Sequence, residues 1–278
     1  MIWRDIRYAV HMLLKTPSFA AVAILTLALG IGANSAIFSV VNSLLLHPLP
    51  YRDSDRLAII WTHSPGANVE QDWPSPGQYS AIKANTTVFE DIAIISGGSM
   101  NVGQATTPER IGVMVASSNL FSILGVQPAI GRVFQPEEDT TKQPKTVALS
   151  HAFWQREFGG DQNVRDKTLT LNGEKYTIVG VMPQGFSLNY EVIPTVSSVP
   201  QPDVFLPLAF SAEDLARQGD ENYNLLARLK PGSSIAEAQS ELNLTTTRLA
   251  AQFPEDYPAS RRFSFGIKPL LDQVVGDV

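Results

Sequence analysis

The sequence predicts an α+β protein carried on one N-terminal transmembrane helix. Three observations predict it: a run without a charged side chain from Thr16 to Leu46, two strand-helix-strand patterns far apart in the chain, and a middle stretch of short strands and turns between them. The first sets where the protein lives, and the other two set its architecture.

A helix needs roughly 20 apolar residues to cross a hydrocarbon core of ~30 Å. Phe19 to Leu46 supplies 28, broken only by small or neutral polar residues. A secretory signal has an apolar core of only about 7–15 residues before its cleavage site. Here Ile37, Phe38, Val40, Val41, Leu44, Leu45 and Leu46 continue past the small-residue sequence Gly30-Ile31-Gly32-Ala33, so the segment 17–46 reads as a retained anchor. Before it, Arg4, Arg7 and Lys15 outnumber Asp5. Basic residues favour the cytoplasmic side, which puts the N-terminus inside the cell and everything after His47 outside.

Within residues 1–16, Ile2, Trp3, Ile6, Ala9, Val10, Leu13 and Leu14 recur at helical intervals opposite Arg4, Asp5, Arg7, His11 and Lys15. This pattern fits an amphipathic helix lying in the cytoplasmic interface. Thr16-Pro17 breaks it, because proline disfavours helical geometry in its predecessor yet starts a new helix well; the alternative is one long bent helix. Inside the span, Gly32, Ser35, Ser39 and Asn42 fall on one stripe. Small and hydroxyl residues let helices approach closely in lipid, and an amide there seeks a partner. The stripe reads as a docking face for membrane helices outside this sequence, the alternative being that Asn42 sits at headgroup level and that Gly and Ser are simply common in such helices.

Residues 47–278 carry 18 Lys+Arg against 26 Asp+Glu. Such a surface repels phosphate backbones, and no basic stripe with interleaved aromatics occurs, so nucleic acid is excluded as an expected partner. The part is long enough for one large domain or two lobes. The absence of cysteine excludes disulfide and thiolate chemistry.

After the rigid exit His47-Pro48-Leu49-Pro50-Tyr51, residues 56–62 with Leu57, Ile59, Ile60 and Trp61 read as a strand closed by Pro65-Gly66. Ser75-Pro76 starts a helix to about residue 84, a serine cap followed by a proline suited to the first turn. A strand over 89–95 completes the first β-α-β unit. The second runs from a strand at 223–229 through a helix at 235–253, opened by the capping box Ser234-x-x-Glu237, to a strand at 262–268. Ile235, Ala238, Leu242, Thr245 and Leu249 make the stripe by which that helix packs on a sheet.

Between the units, residues 109–116 alternate as a strand and 119–124 form a short helix before Gly125. Residues 146–149 are a strand feeding a helix, 150–158, that Gly159-Gly160 terminates. Residues 168–171 and 174–181 form a hairpin about Asn172-Gly173, a pair that tolerates the positive φ of a two-residue turn. Residues 203–208 add a strand, and the proline-rich stretch 188–202 reads as an irregular loop or lobe junction.

Candidate chemistry is sparse. No phosphate loop of the Gly-x-x-x-x-Gly-Lys-Ser/Thr kind occurs, and Gly97-Gly98-Ser99 reads as a strand-connecting turn. His11, His47, His63 and His151 lack ligand spacing. Ser150 and His151 are adjacent on a helix and cannot face each other as nucleophile and base, which leaves Ser150 as a cap. Glu137-Glu138-Asp139 reads as a solvated turn, as does the stretch holding Glu70 and Asp72. Trp61, Trp73, Phe121, Phe134, Phe153, Trp154 and Phe158 read as core. No catalytic residue, metal set or cofactor is expected.

Several blocks resemble one family in order along the chain: Trp3-Arg4-Asp5-Ile6-Arg7-Tyr8, Leu27-Ala28-Leu29-Gly30-Ile31-Gly32-Ala33-Asn34, Pro48-Leu49-Pro50-Tyr51, and Phe121-Ser122-Ile123-Leu124-Gly125-Val126-Gln127-Pro128. Gly131-Arg132-Val133-Phe134, Phe153-Trp154-Gln155-Arg156, Val179-Gly180-Val181-Met182-Pro183 and Ala227-Arg228-Leu229-Lys230-Pro231-Gly232 continue the series. Together they are similar to the MacB/FtsX-type ABC transporter permeases, in the large branch abundant in acidobacteria. The resemblance implies a first membrane helix followed by a two-lobed periplasmic domain over 47–278. A β-α-β porter-like lobe, about 52–98 and 204–272, is split by an inserted β-rich lobe, about 99–203. It further implies a non-catalytic permease component in the bacterial inner membrane, in contact with membrane lipid and acting in export or envelope remodelling. Its partners would be an ABC-type ATPase subunit that hydrolyses ATP and further permease helices or a second permease copy. Such permeases normally enter three further membrane helices where this sequence reaches residues 270–278. The alternatives are a truncated remnant of a longer permease, or a single-pass anchored enzyme or ligand-binding receptor.

Overall fold

The computed structural model describes residues 7–8, 15–41, 49–103, 109–140, 145–186, 188 and 201–276. The chain divides into two compact units, Met1–Pro48 and Leu49–Val278.

The first unit is built on helix α1, Pro17–Val41, of 25 residues. At 1.5 Å per residue it is about 37 Å long, enough to cross a hydrocarbon core of ~30 Å. Its described large apolar side chains are exposed, Phe19 at 68% and Leu29 at 76%. A helix that is apolar all round and unpacked is suited to lipid rather than water. The hydroxyl of Thr26 donates to the carbonyl of Val22 at 2.8 Å, so even this polar group is satisfied within the helix. The interfacial helix predicted over 1–16 lies outside the described residues except at Arg7, Tyr8, Lys15 and Thr16.

In the second unit the elements in chain order are β1 (Leu57–Ser64), β2 (Val69–Asp72), α2 (Pro76–Asn85), β3 (Phe89–Val102), β4 (Glu109–Ala116), α3 (Leu120–Leu124) and β5 (Ile130–Gly131). There follow β6 (Thr146–Leu149), α4 (His151–Phe158), β7 (Thr168–Leu171), β8 (Glu174–Val181) and β9 (Val204–Pro207). The chain then completes β10 (Asn224–Leu229), α5 (Ile235–Gln252), β11 (Ser264–Pro269) and α6 (Leu270–Val275).

The two β-α-β units are interleaved. The order β11-β1-β10-β3 places β10 between the parallel strands β1 and β3, and β1 between the parallel strands β10 and β11, all neighbours being antiparallel. This is the split β-α-β arrangement. Ile60 aligns with Leu225 and Leu225 with Ile94, and α2 and α5 cover that face through Tyr79, Ile82, Leu242 and Leu249. Leu57, Ile59, Trp61, Leu226 and Ile95 form the opposite face, buried in a second core with Phe121 and Phe205. Burial on both faces explains why β1 and β10 read as continuous apolar runs. Both helices start at the predicted serine caps, α5 with the expected box Ser234–Glu237 and α2 with a box, Ser75–Gln78, that the sequence reading did not include.

Gly97-Gly98-Ser99 is not a turn. These residues lie inside the 14-residue strand β3 and pair with Met114, Val113 and Gly112 of β4. Glycine inside a strand often marks a sharp bend. Here β3 changes partners, pairing with β10 over 89–95 and with β4 over 95–102. Beyond residue 95, β3-β4-β9-β6-β8-β7 closes on itself, because Val102 of β3 pairs with Leu171 of β7. Val113, Val147, Leu169, Ile178 and Val204 fill this small barrel, and Phe153 and Trp154 of α4 pack against them. β9, which the sequence reading places at the return to the split lobe, hydrogen-bonds between β4 and β6. The β7–β8 turn has the expected positive φ at Asn172 (47°) and Gly173 (81°).

Candidate functional site

The chain enters the outer unit through Leu49, Pro50, Tyr51, Arg52 and Asp53, and this segment is bolted to the sheet by arginines. Arg228 lies on the face of β10 that carries Leu226, and it is fully buried. Its Nε donates to the carbonyl of Ile123 at 2.7 Å, one Nη to the carbonyl of Asp53 at 3.1 Å, and the other Nη to the carbonyls of Arg52 and Ile123. Ile123 lies in the last turn of α3, where a helix welcomes a cation. Gly125 then ends α3 in the left-handed conformation, φ 69°. A Cβ there would stand 2.4 Å from the Cβ of Arg52, so glycine is what lets the incoming segment lie against the helix end.

Arg56 adds a second bolt. Its Nε donates to the carbonyl of Leu229 at 2.8 Å, and its guanidinium pairs with Glu90 and, at 3.4 Å, with Asp53. Burial pushes the Arg228 guanidinium below its ordinary pKa, and the Arg52 and Arg56 charges push the same way. The carboxylate of Asp53, 3.9 Å away, partly offsets them.

The far end of the unit arrives at the same place. Helix α6 packs on β1, β11 and the turn Ser54–Arg56, with Leu270 buried and the indole N–H of Trp61 donating to Gln273 Oε1 at 3.3 Å. Residues 49–56 and 270–276 therefore share one root. Hydrogen bonds from Arg228 and Arg56 to backbone carbonyls hold that root together.

A second locked point lies beside the barrel and corrects the sequence reading of Glu137-Glu138-Asp139 as solvated. Glu138 is 7% exposed, and its carboxylate takes two parallel bonds from Arg132 at 2.7 and 3.0 Å and one from the Gln135 N–H at 2.7 Å. Burial opposes its ionisation, but these donors prevail and hold its pKa below the usual carboxylate range. Asp139 accepts from the N–H and hydroxyl of Ser118 at 2.8 and 2.7 Å. Only Glu137 is exposed.

The residues singled out in sequence fall as follows. Gly32 and Ser35 lie on α1 and are exposed, and a Cβ added at Gly32 would meet nothing. Ser39 is within α1, and Asn42 is outside the described residues. Ser150 caps α4 by accepting from the Phe153 N–H at 3.1 Å. His151 packs its ring edge-on to Trp154, and His63 contacts the carbonyl of Glu70. His11 and His47 lie outside the described residues, among which no group of His, Cys, Asp and Glu has metal-holding geometry. Trp61, Phe121, Phe134, Phe153 and Trp154 are core, with Trp73 and Phe158 partly buried. The arginine root has one signal in the sequence, a lone charge in the apolar run Leu225–Leu229.

A model of the MacB-like periplasmic core domain family matches residues 20–244. No curated protein matches the sequence. Among solved structures, a domain of a candidate permease protein from Porphyromonas gingivalis superposes with a TM-score of 0.55 at 19% identity, covering 79% of this chain and 92% of that one. The periplasmic region of MacB from Actinobacillus actinomycetemcomitans gives 0.54 at 11% identity, covering 82% and 94%. The extracellular domain of the noncanonic ABC-type transporter YknZ from Gram-positive bacteria gives 0.52 at 12%, covering 76% and 99%. At these identities the superpositions speak to the fold alone, and the family match extends from within α1 into α5. With the split β-α-β sheet and its barrel insertion, this places the chain in the MacB-like periplasmic core domain family of ABC transporter permeases.

Proposed function

We propose that this chain is the N-terminal part of a MacB-like ABC transporter permease. Helix α1 is its first membrane span, the N-terminus is cytoplasmic, and residues 47–278 stand outside the inner membrane. The outer domain divides into a porter-like lobe, about 52–98 and 204–272, and an inserted lobe, about 99–203, whose barrel takes in β9 from the start of the returning segment. ATP is hydrolysed on a partner ATPase chain. The stripe Gly32, Ser35, Ser39 and Asn42 docks α1 on further permease helices or a second permease copy, and movement of α1 is delivered to the outer domain for export or envelope remodelling.

The observation that carries this reading is the shared root. A domain whose incoming and outgoing segments meet at one hydrogen-bonded junction turns as a body when a membrane helix moves, whereas a flexible tether would absorb the motion. Since the sequence has no cysteine, single cysteines test the topology without background. In intact spheroplasts a membrane-impermeant maleimide should label Glu157→Cys and leave Tyr8→Cys unlabelled until lysis. The reverse pattern sinks the topology, and failure of the tagged full chain to co-purify with any ATPase encoded beside it sinks the transport role.

A further inference from the structure

Among the described residues, strand β11 is the last strand of the sheet at its end and pairs with β1 alone. Its other side presents backbone groups that an edge strand leaves open to pairing with another chain. In a strand the N–H and C=O of one residue point to the same side and those of the next to the other. The outward groups of β11 belong to Phe265, Ile267 and Pro269, because the outward carbonyl of Phe265 and N–H of Ile267 are both held from α5 by one side chain. Gln239 Nε2 donates to the Phe265 carbonyl at 2.8 Å, and Gln239 Oε1 accepts from the Ile267 N–H at 3.2 Å.

The spacing of these two bonds carries the argument. In a parallel ladder, one residue of the partner strand donates to the carbonyl of residue i−1 and accepts from the N–H of residue i+1. The Gln239 carboxamide makes that pair of contacts, standing in for the N–H and C=O of one residue of a neighbouring strand. Its orientation is also fixed. Nε2 donates to Asn243 Oδ1 at 2.9 Å, so turning the amide over would set its oxygen against two acceptors and its nitrogen against a donor. Pro269, on the same outward parity, has no N–H to offer, and proline on an edge is itself a barrier to pairing.

We infer that Gln239 is an edge guard that closes β11 against strand addition by a second copy of this chain. The occupant follows from geometry. Under a two-fold axis a strand edge is complementary to itself; antiparallel copies in register place Phe265 of one opposite Ile267 of the other, and the unguarded edge supplies both donors and acceptors. Gln239→Ala opens it. Gln239→Glu still accepts from Ile267 but cannot donate to Phe265, and so guards by half.

The test is hydrogen exchange of the full chain in detergent micelles, followed by mass spectrometry on the peptide holding Phe265 and Ile267, at two protein concentrations a hundredfold apart. In the unsubstituted protein this peptide should be protected equally at both. In Gln239→Ala it should exchange at least tenfold faster at the low concentration and regain protection at the high one, with Gln239→Glu between. The α5 and β10 peptides, unchanged, would report that the fold is intact. Unaltered exchange in Gln239→Ala would show that the side chain guards nothing. Fast exchange at both concentrations would show that the open edge does not accept a second copy.

Discussion

Arg228 Nε and the carbonyl oxygen of Ile123 lie 2.7 Å apart although 105 residues separate them in sequence. The bond joins β10 to the end of α3, and the same guanidinium reaches the carbonyls of Arg52 and Asp53. A planar fork with several fixed donors can serve all three at once. This one side chain therefore ties together the segment arriving from α1, the helix beside the barrel, and the split β-α-β sheet.

Arg228→Met removes the donors and leaves the carbonyls buried, at a cost of about 1–3 kcal/mol for each group left without a partner. The expected loss is about 3 kcal/mol or more, or roughly 6–12 °C in melting temperature for a unit of this size. Arg228→Lys keeps the charge but offers a single ammonium, so about half that loss is expected. Tryptophan-fluorescence melts of the full chain measure both. Equal stability of all three proteins would show that the root is not held by this residue.

The Glu138 carboxylate gives the barrel flank a pH dependence. Its pKa in the folded protein is held below the unfolded value of about 4.3. A group depressed by folding contributes stability above its unfolded pKa and loses it as pH falls through the folded value. Glu138→Gln should be less stable than the parent at pH 7 by about 1–3 kcal/mol, because charge-assisted bonds to Arg132 and Gln135 are lost. The difference should shrink as pH falls below about 4. Melting temperatures from pH 7 to 3 check this, and parallel curves would refute it.

Two glycines with positive φ separate steric from conformational cost. Gly131, φ 74°, would place a Cβ 2.2 Å from the carbonyl oxygen of Val179, where β5 meets β8, whereas Gly173, φ 81°, faces open space. Gly173→Ala should cost about 1 kcal/mol from the left-handed backbone alone. Gly131→Ala should cost about 3 kcal/mol, since backbone on a paired strand cannot give way as a side-chain tip can. Urea unfolding of the two variants measures the difference, and equal losses would mean that the β5–β8 contact yields.

What the sequence made legible was local. Ser75, Ser234 and Ser150 cap their helices, Asn172-Gly173 turns its hairpin, and the apolar runs of β1 and β10 are strands, because each signal is complete within a few residues. Pairing is not local. Nothing in the alternation of Leu225–Leu229 says that β10 inserts between β1 and β3, so two β-α-β patterns were visible and their interleaving was not. Gly97-Gly98 misled because glycine marks both chain turns and bends inside a strand. Glu138 misled for a related reason: a carboxylate in an acidic cluster after proline looks solvated until Arg132, six residues away, is brought onto it. The short strands β2 and β5 carry too few apolar residues to announce themselves, and Arg228 gained its meaning only when Ile123 and Asp53 were placed beside it.

The stripe on α1 makes a prediction that divides the two units cleanly. Among the described residues nothing lies within 4 Å of a Cβ at Gly32, and α1 belongs to a compact unit separate from residues 49–278. Gly32→Leu should therefore leave the melting of the outer unit unchanged to within about 0.5 kcal/mol, the usual range for substitutions that touch no packed group. In lipid the outcome should differ. Small residues allow close backbone approach between helices, and a leucine at that position holds a neighbour off. Co-purification of Gly32→Leu with companion membrane helices should fall severalfold, while Ile37→Ala, on the opposite side of the helix by about 100° per residue, should not change it. If both variants co-purify like the parent, the stripe is not a contact surface, and α1 serves only as an anchor.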